Sequence, residues 1–156
     1  MMPGPAVTSV DNRAGVESRL RHFLLALFCL GAAGTLVELI ALGHYEDQWQ
    51  LVPVFVLSVA LVSAAIQAFA AGRTSLRLLQ TVAAAMMAAG IAGVILHYRG
   101  NLEFQIETNP ELAGWDLFLR IVHAKAPPAL APGVMAQLGL LGLIYCFRHP
   151  LWRRAA

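Results

Sequence analysis

Three ionisable side chains lie within or beside apolar stretches of this sequence. Glu38 is the only charged residue between Phe23 and Leu42, and His44 and His97 each follow an apolar run. A charged group inside the hydrocarbon of a bilayer costs about 3 kcal/mol on insertion scales, so Glu38 is a candidate functional residue. Imidazole and carboxylate groups bind transition metals, and imidazole also ligates haem iron. We therefore predict a metal or haem site formed by His44, His97 and Glu38.

Simpler roles for these side chains stay open at this point. A neutral Glu38 would hydrogen-bond to a neighbour such as Gln137, and a histidine at the membrane interface can serve as a hydrogen-bonding residue. The sequence contains no nucleophile–base motif, phosphate-binding loop or dinucleotide fingerprint. We predict no catalytic residue, and the sequence favours a role other than catalysis. The cysteines, Cys29 and Cys146, do not form a CxxC pair.

The elements that must position these side chains are four apolar runs. Hydrophobic residues make up 58% of the 156 residues and charged residues 13%, about half the charged share of a soluble domain. A helix needs about 20 residues to cross a bilayer, and the backbone in lipid must be hydrogen-bonded within its own segment. We predict an all-α membrane protein, a four-transmembrane-helix bundle with helices at about 23–42, 51–71, 78–96 and 129–147.

The distribution of charge predicts how these helices are oriented. Most basic residues lie before the first run, between the second and third, or after the fourth, and most acidic residues lie in the other two loops. By the positive-inside rule, both termini and the 72–77 turn are cytoplasmic, and the 43–50 and 97–128 loops are periplasmic. The prediction is a multi-pass protein of the inner (plasma) membrane.

The segments outside the runs also have predicted structure. Residues 1–18 are rich in proline, glycine and polar residues, which predicts a disordered cytoplasmic arm preceding a single transmembrane domain, 19–156. In the long outer loop, Leu102, Phe104 and Ile106 alternate with polar residues, and this period of two predicts a strand at 101–108. A lone strand is not stable without a partner.

A short amphipathic helix is predicted at 110–124, lying along the membrane surface. Asn109-Pro110-Glu111 is typical of a helix start, and Trp115 and Phe118 belong to the apolar face that follows at helical spacing. We therefore expect partner binding at five apolar side chains of the outer loop: Leu102, Phe104, Ile106, Trp115 and Phe118.

Small and polar residues indicate which helix faces pack together, since helices in lipid associate through such residues. Gln67 and Gln80 both lie toward the cytoplasmic side and are expected to hydrogen-bond to each other. The small-residue positions with close spacing are Gly31 and Gly34, then Ala85, Ala89 and Gly93, and lastly Gly139 and Gly142.

Three functions are compatible with this pattern. The first is an accessory or scaffold subunit of a larger membrane complex, which would contact other membrane-protein subunits or further copies of itself on the periplasmic face. The second is a metal- or haem-binding membrane protein using His44, His97 and Glu38, and the third is a minimal transporter or channel. A net charge of +2 without a basic run excludes nucleic acid as a partner.

Overall fold

A computed structural model describes residues 5–124 and 130–153 of the chain, and its regular elements are all helical. The helices are α1 (Pro5–Ala41), α2 (Gln48–Phe69), α3 (Arg73–Thr108), α4 (Gly114–Val122) and α5 (Leu130–Cys146), followed by a 3₁₀ turn at Pro150–Trp152. Within the described ranges the structure contains no β-strand.

The four longer helices form a ring in which each packs against two neighbours. Contacts join α1 to α2, α2 to α3, α3 to α5, and α5 back to α1, and the α3–α5 contact is the most extensive. Short connections make α1, α2 and α3 successively antiparallel. α5 runs antiparallel to α3, because its early residues lie beside Gly90 whereas Cys146 lies beside Leu76. The arrangement is an up-down-up-down helical bundle.

Three of these helices are long and apolar enough to cross a membrane. In the described chain they are Gly15–Ala41, Gln48–Phe69 and Arg73–Thr108. The fourth apolar run becomes α5, which has 17 residues and is therefore about 25 Å long, close to the lower limit for a crossing. Its predicted first residue, 129, lies outside the described residues.

The backbones of α3 and α5 approach each other closely along a row of glycines, which we call the glycine seam. A Cβ atom at Gly139 would come within 2.7 Å of the Ala83 carbonyl oxygen, and one at Gly93 within 2.7 Å of the Pro132 side chain. At Gly90 a Cβ atom would meet the backbone of Ala136. Since backbones can approach this closely only without side chains between them, these glycines set the α3–α5 distance.

The strand predicted at 101–108 is wrong, because these residues continue α3 as a helix. Only Gly100 could weaken the helix there, and a single glycine costs about 1 kcal/mol against alanine. The helix ends at Thr108, directly before the C-cap Asn109 and Pro110. A proline disfavours helical geometry in the residue before it, because its ring clashes with that residue's backbone. Pro110 therefore explains why α3 ends at Thr108.

Two other segments differ in their bounds from the prediction. The surface helix expected at 110–124 is confirmed as a helix only from Gly114, since residues 109–113 form a turn in which the Leu112 amide donates to the Asn109 carbonyl at 3.0 Å. At the amino end, α1 begins at Pro5, so residues 5–18 are helical in the structure, in contrast to the disordered arm expected at 1–18.

Candidate functional site

One end of the bundle brings His44 and His97 together. His44 lies in the turn after α1, His97 lies two-thirds of the way along α3, and their ring centroids are 6.5 Å apart with the planes inclined by 21°. The Nδ1 atom of His97 is buried and has no hydrogen-bond partner among the described residues. A buried polar atom without a partner is uncommon in native proteins, which makes this nitrogen a candidate for binding a ligand.

Glu38 does not join the two histidines in a metal site. Its side chain is exposed on the outside of α1 and is not directed into the bundle. Among the described residues there is no group of three or more His, Cys, Asp or Glu side chains that could hold a metal ion. The chemistry available here is therefore that of two neighbouring imidazoles.

α3 extends well beyond the bundle on the side of the histidines. Its 36 residues make it about 54 Å long, against a hydrocarbon core of about 30 Å. Even a tilt of about 40°, the upper end of the range for membrane helices, would leave a projected length of about 41 Å. From His97 to Thr108 the helix rises by about 16 Å, past the level where α5 begins.

A polar stripe follows His97 along one face of this extension of α3. Asn101 and Gln105 follow His97 at intervals of four, so the three share one face of α3. Asn101 and Gln105 are only 4% and 7% exposed, and the Asn109 Nδ2 donates to the Gln105 Oε1 at 3.0 Å. α4 packs against α3 with Ile121 buried. Our prediction missed Asn101 and Gln105, although their spacing from His97 was visible in the sequence.

The apolar side chains of this outer projection, which we define as residues 98–124, mostly face outward. Trp115 is 68% exposed, Phe104 is 60% exposed, and the Trp115 and Phe118 rings stack with centroids 5.0 Å apart. Ile106 is also exposed, whereas Leu102 is half-buried. Four of the five side chains expected to bind a partner are thus accessible within the single chain.

At the opposite end, a buried polar network joins three helices. The Ser75 hydroxyl donates to the Gln67 Oε1 at 2.7 Å, and the Gln67 Nε2 donates to the Tyr145 hydroxyl at 3.2 Å. Ser75 also accepts a hydrogen bond from the Gly72 amide at the start of α3. The expected pairing of Gln67 with Gln80 is therefore wrong, and Gln80 is exposed.

Two arginines at this end satisfy backbone carbonyls that the helix ends leave without intrahelical partners. Arg21 donates to the Tyr145 carbonyl at 2.7 Å and to the Arg148 carbonyl at 3.2 Å, and Arg73 donates to the Trp152 carbonyl at 2.8 Å. The last carbonyls of a helix carry partial negative charge, so guanidinium groups are well suited to them. In the sequence these arginines indicate only the topology, and nothing in their spacing indicates which carbonyls they contact.

Comparison of the chain with protein-family models, with curated proteins and with solved structures finds no match. The geometry at the two ends of the bundle is therefore the basis for assigning a function.

Proposed function

We propose that this chain is a small polytopic inner-membrane protein that acts as an accessory or scaffold subunit of a larger membrane complex. The observation that supports this most directly is the outer projection, residues 98–124, which extends past the bundle and carries exposed aromatic side chains. The partner is another membrane-protein subunit, bound through an extramembrane segment.

The position of the projection along the axis of the bundle distinguishes its exposed side chains from the exposed side chains that face lipid. Apolar side chains such as Phe23 and Phe55 are exposed on the bundle itself, where the hydrocarbon of a bilayer would surround them. Phe104, by contrast, lies about 10 Å beyond His97 along α3. Exposed apolar side chains in that position would meet water unless a protein or the membrane surface covered them, and apolar patches of this kind mark interaction sites.

The charge of the projection indicates what kind of surface would cover it. Glu103, Glu107, Glu111 and Asp116 are all exposed, against the exposed Arg99 and Arg120. We propose a partner surface with an apolar centre and a basic rim, because complementary charge favours association and suppresses wrong partners. Since 101–108 is helical, the contact would use helix packing and not the addition of a strand.

The proposal includes a fourth crossing by α5, with both termini in the cytoplasm. α5 packs along α3 through the glycine seam, beside a part of α3 that is itself apolar enough to lie in the membrane. The clustering of basic residues near residues 19–21, 73–77 and 148–154 supports the same orientation.

The test is purification from the native membrane in a mild detergent, comparing the wild type with a variant of the projection. We expect a partner in fixed stoichiometry with the wild type and its loss from the double variant Phe104→Ser/Trp115→Ser. The matched control is Phe55→Ser, which removes an equally exposed aromatic ring from the bundle and should retain the partner.

Two results would overturn the proposal. One is a clean monomer at every detergent concentration that keeps the protein folded. The other is a complex whose mass is a multiple of this chain alone, which would replace an accessory role with self-association.

A second candidate function is the binding of a transition metal or a haem through His44 and His97. It is favoured by the 6.5 Å separation of the rings and by the unpartnered Nδ1 of His97. Protein purified from its native membrane would then show bound metal on elemental analysis, or a Soret band, and either signal would be lost in His97→Gln. Absence of both signals from the wild type would end this hypothesis.

A further inference from the structure

An arginine-lined recess lies at the end of the bundle opposite the histidines. It has a volume of about 490 Å³ and is lined by Glu17, Arg21, Phe147, Arg148, Pro150 and Arg153. This volume is within the usual range for small-ligand sites, about 300–1,000 Å³. The recess lies between the amino-terminal part of α1 and the segment that follows α5, outside the site proposed above.

The charges of the recess are only partly compensated by the protein. Glu17 is paired with Arg21, whose Nη2 lies 2.8 Å from the Glu17 Oε1, and Arg21 also donates to the carbonyls that end α5. Arg21 is therefore fixed in position, and its charge is compensated by Glu17. Arg148 and Arg153 are exposed and form no salt bridge among the described residues; Arg153 interacts with Glu17 only at longer range, and the Arg148 guanidinium lies 5.8 Å from the centroid of the Phe147 ring. The lining thus holds two guanidinium groups that are available to an anion.

The surroundings of the recess are those of a membrane interface. Phe147 is 69% exposed directly after α5, and Leu20 on α1 is also exposed. The indole Nε1 of Trp152 donates to the Cys146 carbonyl at 2.9 Å, which holds a second aromatic ring at the same level. Aromatic and basic side chains together are typical of the headgroup region, and basic recesses between helices at that level bind acidic lipid headgroups.

We propose that this recess binds the phosphate group of an anionic phospholipid in the adjacent leaflet. Arg148 and Arg153 hydrogen-bond to the phosphate oxygens, and the acyl chains lie along Phe147 and Leu20. A guanidinium fork matches two phosphate oxygens at once, which favours arginine over lysine in such a site. The lipid would fix the segment after α5 against α1.

The experiment titrates delipidated full-length protein in a neutral detergent with short-chain phosphatidylglycerol, with phosphatidylcholine and with inorganic phosphate. We expect phosphatidylglycerol to bind and to raise the melting temperature, with much weaker effects from the other two. In Arg148→Asn/Arg153→Gln the affinity for phosphatidylglycerol should fall about 30-fold, from the loss of two arginine–headgroup contacts. Asparagine is chosen because Arg148 has a φ of 49°, which asparagine tolerates.

The matched control is Arg19→Gln, which removes an exposed charge from the same end of α1 without touching the recess. It should bind phosphatidylglycerol as the wild type does, and Arg153→Gln alone provides a milder variant should the double one misfold. Equal affinities of the wild type and Arg153→Gln, or equal affinities for the two lipids, would overturn the proposal. Displacement of the lipid by millimolar inorganic phosphate would also overturn it, by assigning the recess to the free anion.

Discussion

The guanidinium group of Arg21 donates a hydrogen bond of 2.7 Å to the carbonyl oxygen of Tyr145, 124 residues away in the sequence. This contact joins α1 to the carboxyl end of α5 and closes the ring of helices at the end opposite the histidines. It places the last turn of α5, the Gln67 network and the arginine-lined recess in one hydrogen-bonded unit.

Replacing Arg21 should therefore loosen the end of α5. Arg21→Gln removes the charged donor to the Tyr145 and Arg148 carbonyls, and hydrogen bonds to charged groups contribute about 1.5–3 kcal/mol. We expect the free energy of unfolding in SDS titrations to fall by about 2 kcal/mol. Arg19→Gln, which alters an exposed side chain on the same helix, should change it by less than about 0.5 kcal/mol. Equal effects of the two variants would contradict the structural role of Arg21.

The glycine seam predicts that the effect of a glycine-to-alanine substitution on stability depends strongly on its position. In Gly139→Ala the new Cβ would lie 2.7 Å from the Ala83 carbonyl oxygen, so α3 and α5 must separate, at a cost of about 1–3 kcal/mol. Gly34→Ala meets no atom within 4 Å and should be neutral or stabilising by up to about 1 kcal/mol, since alanine favours helix. Thermal unfolding followed by circular dichroism measures both, and a destabilised Gly34→Ala would show that α1 packs differently.

The buried network at Gln67 predicts a cost for losing a single hydroxyl group. Tyr145→Phe leaves the Gln67 Nε2 without its acceptor at 3.2 Å, and interhelical hydrogen bonds in membranes contribute about 1 kcal/mol. We expect a loss of that size in SDS unfolding. Tyr98→Phe is the control, because Tyr98 is exposed and no hydrogen bond of its hydroxyl is found in the described part of the chain. A neutral Tyr145→Phe would indicate that water replaces the hydroxyl.

The proposed fourth crossing predicts where reporter domains become active. A green fluorescent protein fused after residue 156 should fluoresce, and a periplasmic phosphatase fused there should be inactive, because the proposed topology places both termini in the cytoplasm. Fusions after Glu111, within the outer projection, should give the opposite pattern. If α5 does not cross, both fusion sites report the same side of the membrane.

The segment that sequence patterns described least well is 97–108. Leu102, Phe104 and Ile106 alternate with polar residues, but His97, Asn101 and Gln105 also recur at intervals of four. Over eight residues the two periods cannot be distinguished by counting. The helix prevails because this segment continues α3, and extending a helix avoids the cost of nucleating a new element.

The sequence by itself determined that the chain has four apolar segments and that these are helical, because a backbone in lipid must satisfy its own hydrogen bonds. Only the tertiary structure decided which face of each segment packs. It leaves Glu38 exposed, brings His44 beside His97 and places Gly139 against Ala83. The physical reason is that lipid-facing and protein-facing side chains are both apolar in a membrane helix. Its sequence therefore lacks the polar–apolar contrast that identifies the buried face of a helix in water.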